Sequence, residues 1–210
     1  MFIENAILAN DYHVQFMSIL EVLAASIDAK DPLTANHSQK VNEYAIGIAR
    51  ELGFREADIE ILSVSALLHD YGKLGTNENI LKKPGKLSPQ EYEHIKQHAK
   101  NTRDILSRMY LIRQYRNVPL IASSHHERLD GSGYFQGLTD HEIHFMAKII
   151  AVADVFDALT AKRHYRDALS SEAAFEILEQ GIGTQFDENV VEALKKYWEK
   201  QRSQQIEPTG

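Results

Sequence analysis

Asp154 lies within the run IIAVADVFDAL, which is apolar on nearly every side of a helix. A carboxylate buried there is costly unless it is paired or holds a cation. His69-Asp70 closes another apolar run, VSALLHD. Adjacent residues diverge by ~100° on a helix. The pair therefore serves one metal only where the helix is ending, unless the carboxylate reaches outward to a second metal. Lys73 follows one turn after Asp70 and on its face. An ammonium one turn from a metal-bridging carboxylate suits a phosphate substrate. His125-His126-Glu127 stands directly before a glycine-rich stretch, His37 sits early on another periodic segment, and His98 follows Ile95 on a third.

Each of these has a plainer reading by itself. Asp154 reads equally as a carboxylate satisfied by a local hydrogen bond or an arginine. Asp70 and Lys73 read as a surface helix pair, and the histidines as polar-face or core-edge residues. His13, His94, His141, His144 and His164 are assigned to structure or surface, with His94, one turn before His98, as a reserve ligand. The set as a whole shifts the balance. His37, His69-Asp70, His98, His125-His126 and Asp154 fall one group per predicted helix, near helix ends or in apolar surroundings. Five imidazoles and two carboxylates are about what two six-coordinate ions need when they share a carboxylate and a hydroxide. The chain has no cysteine, so thiolate zinc sites, disulfides and cysteine nucleophiles are excluded. Nitrogen and oxygen donors suit iron, manganese or zinc alike.

The elements that must position these groups read as helices. Val14–Ala29 places Phe16, Ile19, Leu20, Leu23 and Ile27 on one face, and Asp31-Pro32 ends it. A second helix runs from near Thr34 to Leu52, with Gly53 as its C-cap, and a third spans Glu56–His69. Leu74–Leu87 reads as a loop. Ser88-Pro89-Gln90-Glu91 is an N-cap with a capping box, starting a helix to about Tyr110. Further helices are expected over Ile112–Glu127, Asp140–Ala161, Ser171–Gln180 and Glu188–Gln201, with a turn-rich loop at Asp130–Gly137. No strand alternation, repeat or heptad series stands out. The expected fold is all-α, a single bundle of about eight helices. Residues 1–19 form an N-terminal helix or connector, residues 20–201 the domain, and residues 202–210 a polar, fraying tail.

Composition bounds the rest. At 210 residues, with 43% hydrophobic and 25% charged residues, the chain is an ordinary globular protein of about one domain. A net charge of −7 disfavours a duplex nucleic-acid binder. No segment reaches the ~20 apolar residues of a membrane span, and the N-terminus lacks the features of a secretory signal. A cytoplasmic protein is expected.

His69-Asp70 with Gly72-Lys73, then His125-His126-Glu127 and Asp130-Gly131-Ser132-Gly133-Tyr134, resemble the HD-GYP family, a branch of the HD-domain metal-dependent phosphohydrolases. Lys83-Pro84-Gly85, Val152–Thr160, Tyr165-Arg166 and Phe186-Asp187 extend the likeness from about Leu20 to about Leu194. The resemblance implies a helical bundle with metals at its centre. It also implies hydrolysis of cyclic di-GMP, by a metal-bridging hydroxide, to the linear dinucleotide or GMP. By position, His37, His69, Asp70 and Asp154 would hold one metal, and Asp70 would bridge to a second held by His98, His125 and His126. Lys73 would contact the scissile phosphate or the hydroxide. Arg163 and Arg166 would bind the ligand's phosphates, and Tyr134 would stack on a guanine. The cofactors implied are two divalent ions, iron or manganese before other metals. A third metal would need a carboxylate where this chain has Leu33.

The chain also departs from the family pattern. Phe135 follows Gly133-Tyr134 in place of the signature proline. Thr76-Asn77-Glu78, Ala99–Thr102 and Glu188 replace other familiar residues, and none of these changes removes a metal ligand. Three alternatives follow: a phosphohydrolase of another cyclic dinucleotide or nucleotide, a low-turnover module that binds cyclic di-GMP or a protein partner, and, remotely, a di-iron oxygenase. Lys73, Arg163 and Arg166 argue against the oxygenase. The expected partner is cyclic di-GMP, with neither membrane nor duplex nucleic acid. A regulatory or sensor protein, or a second copy through the N-terminal helix, is a further expectation.

Overall fold

The computed structural model describes residues 2–30, 36–162 and 167–206. Among them are nine α-helices: α1 (Phe2–Lys30), α2 (His37–Glu51), α3 (Glu56–Leu67), α4 (Glu78–Leu81), α5 (Pro89–Leu106), α6 (Val118–Ser123), α7 (Phe145–Thr160), α8 (Ser171–Gln180) and α9 (Glu188–Ile206). Short 3-10 helices lie at Tyr71–Gly75 and Arg113–Tyr115. The strand-like pairing among the described residues is limited to isolated bridges, Asp130 with Thr139 and Ile182 with Phe186. The all-α expectation holds, with a buried His/Asp cluster in the core.

Two apolar clusters organise the bundle. The larger surrounds α7, where Ile149, Ile150 and Phe156 pack with Ile48 of α2, Leu178 of α8 and Leu194 of α9. The smaller joins Leu20 and Ala24 of α1 to Val64 and Leu67 of α3, Leu106 of α5 and Val118 of α6. The elements that carry the His/Asp cluster come from both. Two polar ties fix α1 to this frame. Asp28 accepts hydrogen bonds from the Ser38 amide (3.1 Å) and hydroxyl (2.7 Å) at the start of α2. Lys30 donates to the carbonyls of Lys73, Leu74 and Thr76.

Several boundaries differ from the sequence reading, each for a local reason. α3 stops at Leu67, so His69 and Asp70 stand in a turn just beyond it and not on the helix. The segment expected as one helix over Ile112–Glu127 is a 3-10 turn followed by the short α6, and His125 and His126 again fall past a helix end. α7 begins at Phe145, not Asp140. His144 Nδ1 accepts from the Met146 amide at 3.2 Å as an N-cap. Glu142 accepts from the Thr139 amide and hydroxyl and folds the preceding residues into a turn. The loop expected over Leu74–Leu87 contains α4, capped by Asn77. α9 continues to Ile206 past Gln201, with Arg202 donating to Glu172 at 2.7 Å. In α1 the buried stripe runs Leu20, Ala24, Ile27, a spacing of four and three that leaves Ile19, expected on that face, outside. The capping box at Ser88 and Glu91 and the C-terminal turn at Gly53, φ +75°, form as the sequence indicates. Thr34 and Leu33 lie outside the described residues.

Candidate metal centre

Helix ends place five of the seven donors. His37 is the first residue of α2, His69 and Asp70 follow α3, His98 lies mid-α5, His125 and His126 follow α6, and Asp154 lies mid-α7. At the end of α3 the chain is leaving the helix, so the ~100° divergence of neighbouring side chains no longer applies. His69 and Asp70 thus reach the same space, with His69 Nε2 3.5 Å from Asp70 Oδ2. Donor atoms of His37, His69 and Asp70 lie within 4.8 Å of one another, as do those of His98, His125 and His126, and those of His69, His125 and Asp154.

The two oxygens of Asp70 face different partners. Oδ2 is 3.8 Å from His37 Nε2 and 2.6 Å from Lys73 Nζ. Oδ1 is 3.4 Å from His98 Nε2 and 3.9 Å from His125 Nε2. Asp154 Oδ1 stands 3.2 Å from His37 Nε2.

The outer nitrogens of the rings are held as well. His69, His98 and His125 donate Nδ1–H at 2.7 Å to the carbonyls of Ala66, Ile95 and Ala122, each three residues earlier. His37 donates Nδ1–H to Asp157 Oδ2 at 2.7 Å. This fixes one tautomer and turns each Nε2 lone pair inward, the usual support of a metal-ligating histidine. His69 Nε2 is buried with no hydrogen-bond partner among the described residues. A buried unpaired acceptor among inward lone pairs and carboxylates is the arrangement that a cation satisfies.

Charge states agree with ligation. Burial, followed by the neighbouring imidazoles, pushes His125 down. Burial and the charge of His98 bring His126 to about 3. Burial also lowers His98 against the pull of Asp70. These rings are neutral at physiological pH. Burial opposes ionisation of Asp70, yet the Lys73 ammonium and the surrounding imidazoles hold its carboxyl well below the usual carboxylate range. Burial likewise opposes the charge on His37, but hydrogen bonds to Asp154 and Asp157 outweigh it and raise the ring to about 10. A metal held by His37 would displace that proton.

Close approaches set the register of these segments. A Cβ on Gly72 would lie 2.0 Å from the His98 carbonyl oxygen, so α5 packs directly on the backbone beyond Asp70. There Thr102 Oγ1 accepts from the Gly72 amide and donates to the His69 carbonyl. Gly133 similarly sits against the backbone of His126–Arg128, where a Cβ would come within 2.6 Å of three backbone atoms. Glu127, buried, accepts from the amides of Gln136 (2.8 Å) and Leu138 (2.9 Å) and so holds the glycine loop. The loop brings the Tyr134 ring to 4.7 Å from that of His126.

All seven residues expected as ligands therefore converge, with Lys73 and Tyr134 beside them. Arg163 and Arg166 lie outside the described residues. His94, the reserve ligand, accepts instead from the Asn77 amide. Asp157 and Glu127 were given no role from sequence. The signal for Asp157 was present, since a second carboxylate three residues after Asp154 on an apolar helix shares its face.

The HD domain family model matches residues 21–190 of the chain. The 3'3'-cGAMP-specific phosphodiesterase 3 of Vibrio cholerae is 43% identical over 178 residues, covering 85% of this chain and 38% of that protein. A cyclic di-GMP phosphodiesterase of Thermotoga maritima is 38% identical over 192 residues, covering 89% of this chain and 50% of that protein. The crystal structure of a cyclic GMP-AMP specific phosphodiesterase of Vibrio cholerae superposes with a TM-score of 0.55 at 35% identity, over 90% of this chain and 41% of that one. The chain thus spans half or less of these relatives. No helix among the described residues is long and apolar enough to cross a membrane.

Proposed function

The chain belongs to the HD-domain family, and on that premise we propose that it is a metal-dependent phosphodiesterase that hydrolyses a guanine-containing cyclic dinucleotide, cyclic di-GMP or 3'3'-cGAMP. The observation that carries this reading is Asp70, whose two oxygens face two different sets of histidines. A carboxylate so placed could serve two cations, one through each oxygen. His37, His69, Asp70 and Asp154 would hold one divalent ion, and Asp70, His98, His125 and His126 the other. Iron or manganese is the first choice for such donors. Bound there, the ions supply Lewis acidity toward a phosphoryl oxygen and acidify water to near neutral pH.

The protein's own groups have separable parts in this reading. The Lys73 ammonium beside Asp70 stabilises negative charge gathering on the phosphoryl oxygens as the bond to the leaving 3'-oxygen breaks. Asp157 keeps His37 oriented, and the three backbone carbonyls do the same for His69, His98 and His125. Tyr134 offers an aromatic wall at the rim for a base. Arg163 and Arg166 are assigned to the phosphates by position in the motif. Cyclic di-GMP and 3'3'-cGAMP are both retained because the relatives named above divide between them.

The test is consumption of both dinucleotides, followed chromatographically, by protein loaded anaerobically with Fe(II) or Mn(II). We expect linear dinucleotide or mononucleotide from at least one of them, loss of turnover on chelation, and a fall on the order of a hundredfold in kcat for Lys73→Met with metal content kept. Two bound metals with neither substrate consumed would overturn the reading.

A further inference from the structure

A cavity of about 250 Å³ opens beside the metal centre, lined by Tyr134, the aromatic wall assigned above to a base. His126 and Tyr134 form one wall, Tyr92 and Phe186 contribute apolar surface, and Arg128 and Gln185 supply polar groups. The volume is below the ~300–1,000 Å³ that holds a whole drug-sized ligand, and it suits one flat base. Arg128 is the unusual member. Its Nε is buried without a hydrogen-bond partner among the described residues, and the nearby Asp130 carboxylate oxygen is 3.8 Å from it, too far for a hydrogen bond. Asp130 Oδ1 is instead taken by the Ser132 amide (2.9 Å) and hydroxyl (2.6 Å). Only the Arg128 backbone is held, by the close approach of Gly133 to its amide, and the side chain is 39% exposed.

We propose that Arg128 is a specificity-determining residue that reads the O6/N7 edge of a guanine seated in this cavity. The proposal rests on the cyclic dinucleotide reading above and adds the base to it. A guanidinium presents paired donors, and guanine presents paired acceptors at O6 and N7. Adenine presents an acceptor and an N6 amino donor on the same edge, so it meets the fork with a donor facing a donor. Both candidate substrates contain guanine, so one guanine pocket next to the metals serves either, and the second base is left to other surface.

The test measures dissociation constants of GMP and AMP for the metal-loaded protein, and kcat/KM for cyclic di-GMP and cyclic di-AMP, with wild type, Arg128→Met and Arg128→Lys. Metal content and melting temperature identify any variant that has lost its fold. We expect a preference for GMP over AMP that falls about tenfold or more in Arg128→Met, within the range of one bidentate base contact. The cyclic di-GMP to cyclic di-AMP ratio should fall in parallel. Arg128→Lys keeps a donor but not the planar fork, and so should keep only part of the preference. Two results would overturn the proposal: equal losses for guanine and adenine ligands, which indicates a phosphate contact, and no change of preference in Arg128→Met. If wild type turns over no cyclic dinucleotide, the functional reading fails, and the mononucleotide constants still decide the role of Arg128.

Discussion

Seven side chains converge here, and four of the five imidazoles are oriented by a neighbour. Three imidazoles are turned inward by carbonyls one turn back along their own chain segment, a local device that costs no extra residue. His37, first in its helix, donates to the Asp157 carboxylate. Asp157→Ala should therefore lower metal affinity by about 10- to 100-fold, the usual effect of removing such an outer partner. Competition against a chromogenic chelator measures it, and an unchanged affinity would show that His37 is oriented by Asp154 alone. Asp154 and His69-Asp70 are legible in the sequence because they stand in or close apolar runs, whereas His37 and His98 gain weight only as members of the whole set. Asp157 shares the face of Asp154, but nothing on that helix signals that it meets a histidine of α2. Glu127 was quoted inside a motif, but its two acceptors bond backbone amides nine and eleven residues ahead, and composition cannot signal that.

At the scale of elements, the cluster depends on where helices stop. Periodicity gives the face of a helix well and its end poorly, so the patterns over Glu56–His69 and Ile112–Glu127 run past the ends of α3 and α6. Both ends matter chemically, because the turns let His69-Asp70 and His125-His126 converge where a continued helix would splay them. The contact of α5 with the 3-10 segment after Asp70 is equally a matter of backbone, with no room for a Cβ at Gly72. Gly72→Ala should destabilise the fold by at least ~2–3 kcal/mol, in the range of overpacking in a core. It should also displace His98 relative to Asp70. Denaturant unfolding with parallel metal analysis checks both, and a loss under ~0.5 kcal/mol would mean that the two segments separate without cost.

At the scale of the whole molecule, α1 divides into two parts. Ile7, Leu8 and Tyr12 are exposed, while Leu20, Ala24 and Ile27 are core and Asp28 and Lys30 tie α1 to α2 and to the segment beyond Asp70. Removing residues 1–12 should change unfolding free energy by no more than ~0.5 kcal/mol and leave metal content intact. Removal through Lys30 should abolish both cooperative unfolding and metal binding. Retention of metal by the longer deletion would show that the centre stands without α1. If Asp70 joins two cations into one hydrolytic centre, turnover must depend on both metals and on that carboxylate. Anaerobic titration of metal-free protein with Mn(II) or Fe(II), assayed on cyclic di-GMP and 3'3'-cGAMP beside Asp70→Ala, should give turnover that saturates near two metals per chain and is absent in the variant. Full activity at one metal per chain, or turnover kept by Asp70→Ala, would show that Asp70 does not join two metals.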